Sequence, residues 1–124
     1  MKKAIQTQDA PAAIGPYSQA IVHNGTVYVS GQLGLDPATG RLEEGVAAQA
    51  SRALDNIKSI LLAAGAEPAA ILKATVFMTD LGEFATVNKI MEERLPAPFP
   101  ARSCVEVSAL PKGALVEIEV IAGL

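Results

Sequence analysis

The sequence predicts an α+β domain in which a β-sheet is covered on one face by two helices. Three observations carry this. Residues Gly45 to Ala64 place Val46, Ala50, Leu54, Ile57, Leu61 and Ala64 at three- and four-residue steps, which makes one apolar helical stripe. A second helical segment, Leu81–Leu95, starts after Asp80 and stops against Pro96. Around these lie short β-branched or alternating runs bounded by Gly, Pro and Asn.

Taken in order, Lys3–Thr7 reads as a short edge strand. The segment Ala10–Ser18 follows, kept irregular by Pro11, Gly15 and Pro16. Ala20–His23 and Thr26–Ser30 flank Asn24-Gly25, a strong two-residue hairpin signal. Gly31 continues this second strand, where a glycine signals a bulge or a close approach by a ligand or backbone. Asp36–Gly40 is a turn, and Gly65 is the expected C-terminal cap of the first helix. After Glu67-Pro68, Ile71–Thr79 reads as a buried strand. A strand through Arg102, a turn at Leu110–Ala114 and a last strand to Ala122 complete an order ββ-α-β-α-ββ that follows the short edge strand. Helices on one sheet face leave the other, flecked with apolar residues, needing cover, and association of copies is the simplest way to supply it.

The 124 residues make a single domain, 1–124. Half the residues are hydrophobic, with no Trp, so the core must come from Val, Ile, Leu and Ala. A net charge of −3, with no cationic run beyond Lys2-Lys3, supplies no phosphate-neutralising stripe, and no nucleic-acid partner is expected. One Cys excludes an internal disulfide, and one Cys with one His excludes an ordinary zinc cluster. Met1-Lys2-Lys3 leads into polar sequence rather than a signal peptide's apolar stretch, and no run is long enough to span a bilayer. A cytoplasmic chain with no membrane partner is the expectation.

Most chemistries find no footing. His23 sits beside the hairpin turn and points to water, away from any cleft that a Ser-His-Asp or Cys-His site needs. Gly31, Gly34 and Gly40 do not open a helix, so no phosphate-cradling loop is present. Asp80, Glu83, Glu92 and Glu93 are spaced as helix-face charges rather than metal ligands. No cofactor motif is found, and neither cofactor nor metal is expected.

What remains lies between Phe99 and Val120. Alternation puts Arg102, Cys104 and Glu106 on one strand face and Glu117 and Glu119 on one face of the next strand. If the two strands form a hairpin pairing Ser108 with Leu115, Arg102, Cys104, Glu117 and Glu119 all face the same way; a one-residue slip reverses this. Arg102, with a planar fork of donors that never loses its charge, would grip a carboxylate, and Glu117 would act as base. Tyr17, Ser30 and Gly31 are candidate walls. Glu106 and Glu119 read as surface charges, and the alternative for the whole set is a solvated strand face with a surface ion pair.

Six segments in the same order carry a resemblance: Ala10–Ser18, Val29-Ser30-Gly31-Gln32, Asp55-Asn56-Ile57, Phe84-Ala85-Thr86-Val87-Asn88, Phe99–Val107 and Val116–Ala122. Through them the chain resembles the RidA/YjgF family of reactive-intermediate imine deaminases over nearly its whole length. The resemblance implies a chorismate-mutase-like fold, a homotrimer with ligand clefts between subunits, and 2-imino acids such as 2-iminopropanoate and 2-iminobutanoate as substrates. It implies that Arg102 holds the substrate carboxylate and Glu117 positions or activates water, with Tyr17, Ser30, Gly31, Asn88 and Cys104 lining the pocket. The chemistry suits so sparse a set. A protonated C=N carbon is already electrophilic, so the protein need only hold the carboxylate, deliver water and move a proton. Met91–Pro98 departs from the aromatic residues many relatives carry there, which bears on the pocket rim and side-chain preference. The competing readings are a small-carboxylate sensor or regulatory protein without turnover, and the holdase-like or RNA-directed role that the resemblance also implies, with the acidic balance arguing against RNA.

Overall fold

The computed structural model describes residues 1–124. Three strands, β1 (Lys3–Ile5), β2 (Ala20–His23) and β3 (Thr26–Leu33), precede helix α1 (Val46–Ala64). Strand β4 (Ile71–Met78), helix α2 (Phe84–Arg94) and strands β5 (Ala101–Glu106) and β6 (Val116–Gly123) follow. The six strands form one sheet in the order β1-β2-β3-β6-β4-β5. Every neighbouring pair is antiparallel except β4 and β5, which run parallel across the α2 crossover.

Local signals set most boundaries. Asn24 and Gly25 both take positive φ, 49° and 75°, the mirror-image turn whose twist suits a hairpin, and His23 pairs with Thr26. Gly65 adopts the left-handed conformation, and the Gly65 and Ala66 amides close onto the Leu62 and Leu61 carbonyls at 3.1 and 2.8 Å. α2 starts three residues later than Leu81 because Leu81–Glu83 winds as a 3-10 turn, with the Asp80 carboxylate accepting from the Gly82 amide at 2.8 Å.

The core lies between the helices and one sheet face. The predicted stripe is at its centre, with Ala50, Leu54, Ile57 and Leu61 buried against Val27, Val29, Val76, Ile118 and Val120. Two polar residues of α1 are buried with them. Asn56 donates to the Leu33 and Leu35 carbonyls at 3.2 and 2.9 Å, and Gln49 donates to the Glu43 carbonyl and accepts from the Leu115 amide at 3.0 and 2.8 Å. These amides pin the β3 exit and the β6 entry to the helix. Gly34 makes the same contact closer still, since a Cβ there would lie 2.4 Å from the Gln49 Cα. Asn56→Ala is expected to lower stability by about 3 kcal/mol, through two unpaired carbonyls and a small void. Equilibrium urea unfolding at fixed protein concentration checks this; an unchanged midpoint would remove Asn56 from the frame.

The opposite sheet face carries no helix. Tyr28, Val105 and Ile121 are exposed there at 48%, 42% and 37%, beside half-buried Ile21 and Phe77. Apolar side chains in such number on one open face match the expectation of an uncovered sheet.

The expected β5–β6 hairpin does not form. β4 lies between the two strands, with Met78 pairing Glu106 on one side and Val116 on the other. After β5 the chain passes the end of β4, where Val107 donates to the Met78 carbonyl and Thr79 to the Leu115 carbonyl, and then turns through Pro111–Gly113. The register across β4 fixes the outcome: Arg102, Cys104 and Glu106 share a face with Val116, Ile118 and Val120. Glu117 and Glu119 point to the other side. The two residue sets that a hairpin would bring together occupy opposite faces of the sheet, because pairing through β4 shifts their relative phase by one residue.

Candidate active site

The predicted site residues fall into two clusters. On the helix side, at the sheet edge, Arg102 stands next to Ala74 of β4 and reaches α2. Its Nη1 donates to the Asn88 Oδ1 at 2.8 Å, and its guanidinium carbon lies 5.2 Å from the centre of the Phe84 ring. Phe84 and Asn88 are four residues apart, one turn along a single face of α2. A cavity of about 380 Å³ opens here, bounded by Asn88, Arg102 and the apolar Met91, Leu95 and Phe99. Cys104 shares this face but turns inward, its thiol donating to the Met78 Sδ at 3.7 Å. Burial pushes the Cys104 thiol up, and the charge of Arg102 only partly offsets it. A protonated, core-facing sulfur is no nucleophile. Cys104→Ala is therefore expected to keep activity within about tenfold; a thousandfold loss with assembly intact would make the thiol a participant.

On the open side, Glu117 of β6 pairs with Phe77 of β4 and Leu33 of β3. Loss of hydration raises its carboxyl above the usual carboxylate range, and the neighbouring Glu119 raises it further. Gly31 accommodates it: a Cβ at position 31 would fall 2.6 Å from the Glu117 Oε2. The bulge anticipated at Gly31 is present, since Val29 pairs with Val120 and Gln32 with Ile118, leaving Ser30-Gly31 opposite Glu119 alone. Of the two readings of Gly31 the bulge occurs; the close approach is made by the Glu117 side chain and not by a ligand or backbone.

Ser30 ties this cluster to the irregular N-terminal segment. Its hydroxyl donates to the Ser18 carbonyl at 2.6 Å and its amide to the Gln19 carbonyl at 2.9 Å. Buried Gln19 braces the segment, with its amide nitrogen on the Thr7 and Pro11 carbonyls and its oxygen on the Thr7 amide. Tyr17 at the end of that segment is 52% exposed, its hydroxyl accepting from the Ile14 amide at 3.3 Å. A shallow cavity of about 640 Å³ has Tyr17, Ser30 and the open-face residues Ile21 and Tyr28 in its walls.

The structure thus groups Arg102, Asn88 and Cys104 on one side and Glu117, Gly31, Ser30 and Tyr17 on the other. β5 and β6 are two strand spacings apart, about 10 Å, with the sheet between the two side chains. No group of three or more His, Cys, Asp or Glu side chains is placed to hold a metal ion. The sequence by itself gives Phe84 no role; its four-residue spacing from Asn88 is the local signal that links the two.

A chain of this sequence and fold has close counterparts. The family model described as Endoribonuclease L-PSP matches residues 7–124. Among curated relatives, the 2-iminobutanoate/2-iminopropanoate deaminase of Bos taurus is 52% identical over 123 residues, covering 98% of this chain and 90% of that protein. The deaminase of the same name from Escherichia coli K12 is 50% identical, covering 98% of both. The crystal structure of RidA from an Antarctic Psychrobacter species superposes with a TM-score of 0.96 at 50% identity, covering 98% of this chain and 99% of that one. That of Escherichia coli TdcF with bound serine gives 0.94 at 45% identity, covering 98% of each. The chain belongs to the RidA/YjgF family. No helix is long and apolar enough to cross a membrane.

Proposed function

We propose that the protein hydrolyses 2-iminopropanoate and 2-iminobutanoate to the 2-oxo acids and ammonia, in clefts that each join Arg102 of one subunit to Glu117 of a neighbour in a homotrimer. One observation carries the reading: Arg102 and Glu117 of a single chain lie on opposite faces of its sheet, so a cleft that uses both takes its second half from another copy. The exposed apolar face around Tyr28, Val105 and Ile121 supports it, being a surface for a copy of the chain to cover. Relatives of about half-identical sequence that carry the deaminase name support the substrate class.

The chemistry follows from the groups. Arg102 pairs with the substrate carboxylate and fixes the iminium carbon. Glu117 takes a proton from water as the water oxygen bonds to that carbon and the C=N π pair moves to nitrogen. The resulting carbinolamine gains that proton on nitrogen. Ammonia leaves with the C–N pair as the hydroxyl gives its proton to Glu117 and its O–H pair forms the C=O; Glu117 then passes that proton to the departing ammonia as ammonium. A raised carboxyl pKa suits Glu117, since a base whose conjugate acid lies nearer neutrality both accepts and returns the proton readily.

The experiment is a coupled assay in which a threonine or serine dehydratase releases the imine and 2-oxo acid formation is followed with and without this protein. Faster release is expected; an unchanged rate together with retained 2-oxo acid binding would favour a sensor. Light scattering at assay concentration is expected to give a trimer, with activity lost on dissociation. An active monomer would refute the shared cleft.

A further inference from the structure

We propose that Phe84 is a positioning residue for Arg102, stacking under the guanidinium so that its free donors meet the substrate carboxylate already aligned; this rests on the reading of Arg102 as the carboxylate grip. Arg102 is exposed on an edge strand, where a long side chain keeps wide rotamer freedom that a ligand would have to remove. Two contacts from α2 restrict it. The Asn88 carbonyl takes one N–H in the guanidinium plane at 2.8 Å, and the Phe84 ring lies against the group at 5.2 Å. A ring attracts a cation through its π face without consuming N–H donors. With Asn88 as Arg102's one acceptor within the chain, Nη2 and Nε keep their donors for a bidentate carboxylate.

Packing does not account for the ring. Phe84 is only half-buried and belongs neither to the core cluster nor to the partly buried residues packed on it. Its place as the first residue of α2 is set by the Asp80-capped turn, which starts the helix where positions 84 and 88 both reach Arg102.

The test compares Phe84→Leu, which keeps apolar bulk but removes the π face, with Phe84→Tyr, which keeps the ring. Phe84→Leu should raise KM for 2-iminopropanoate about fivefold, weaken 2-oxobutanoate binding by calorimetry to the same extent, and leave kcat within about twofold. Phe84→Tyr should stay within about twofold of the parent on all three. Unchanged KM and binding in Phe84→Leu would overturn the proposal. So would a Phe84→Tyr variant as impaired as Phe84→Leu with an equal fall in Tm, which marks a packing role. If the parent protein neither turns over the imine nor binds 2-oxobutanoate, the deaminase reading fails separately. The Arg102 Nε–H resonance, displaced by the ring current and released in Phe84→Leu, then decides the stacking alone; no change on substitution would overturn it.

Discussion

Glu117→Gln is expected to lower kcat by roughly 10²–10⁴-fold, the range a general base contributes. The amide keeps the shape beside Gly31 but cannot accept water's proton. The loss should fall on the chemical step and leave binding of an unreactive 2-oxo acid nearly intact. The pH dependence follows from the raised carboxyl. The base works only when ionised, so activity of the parent should fall as the solution becomes acidic, with a midpoint above the ordinary carboxylate range. That limb should vanish in Glu117→Gln. Parallel losses of binding and turnover, or an acid limb that survives the substitution, would make Glu117 a positioning group.

Arg102→Lys should lower kcat/KM about a hundredfold although the charge is kept, corresponding to about 3 kcal/mol for a lost charge-assisted pair of bonds. Lysine is a point donor on a flexible stem and cannot present a planar fork to a carboxylate. It also loses the guanidinium carbon placed over the Phe84 ring and the geometry of the Asn88 bond. Steady-state kinetics on the imine, with 2-oxobutanoate affinity measured in parallel, separates a weakened grip from a misaligned one. A Lys variant with near-parental kcat/KM would take Arg102 out of the site.

Sequence by itself determined what depends on near neighbours in the chain. The α1 stripe, the Gly65 cap, the Asn24-Gly25 hairpin and the Gly31 bulge each rest on local sterics or side-chain period, and each is present. The residue types of the proposed site, Arg102 and Glu117 above all, stand out in the sequence because few other side chains offer carboxylate recognition and proton transfer. Asn56 and Gln49 were not legible: both look like exposed polar positions on a helix, and only the backbone of distant loops gives them partners in the core. Phe84 stayed hidden for the same reason, since its neighbour comes from β5.

The tertiary structure alone decided which strands lie side by side. Alternation tells that Arg102 and Cys104 share a face, and that Glu117 and Glu119 share one, but it carries no information on the phase between the two strands. That phase is set through β4, which both strands pair with, and it came out opposite to the hairpin expectation. Side-chain direction is fixed by each residue's own backbone, whereas strand order is chosen by the burial of a whole sheet face against two helices. The arginine and the glutamate were therefore readable one by one, and their separation across the sheet was not.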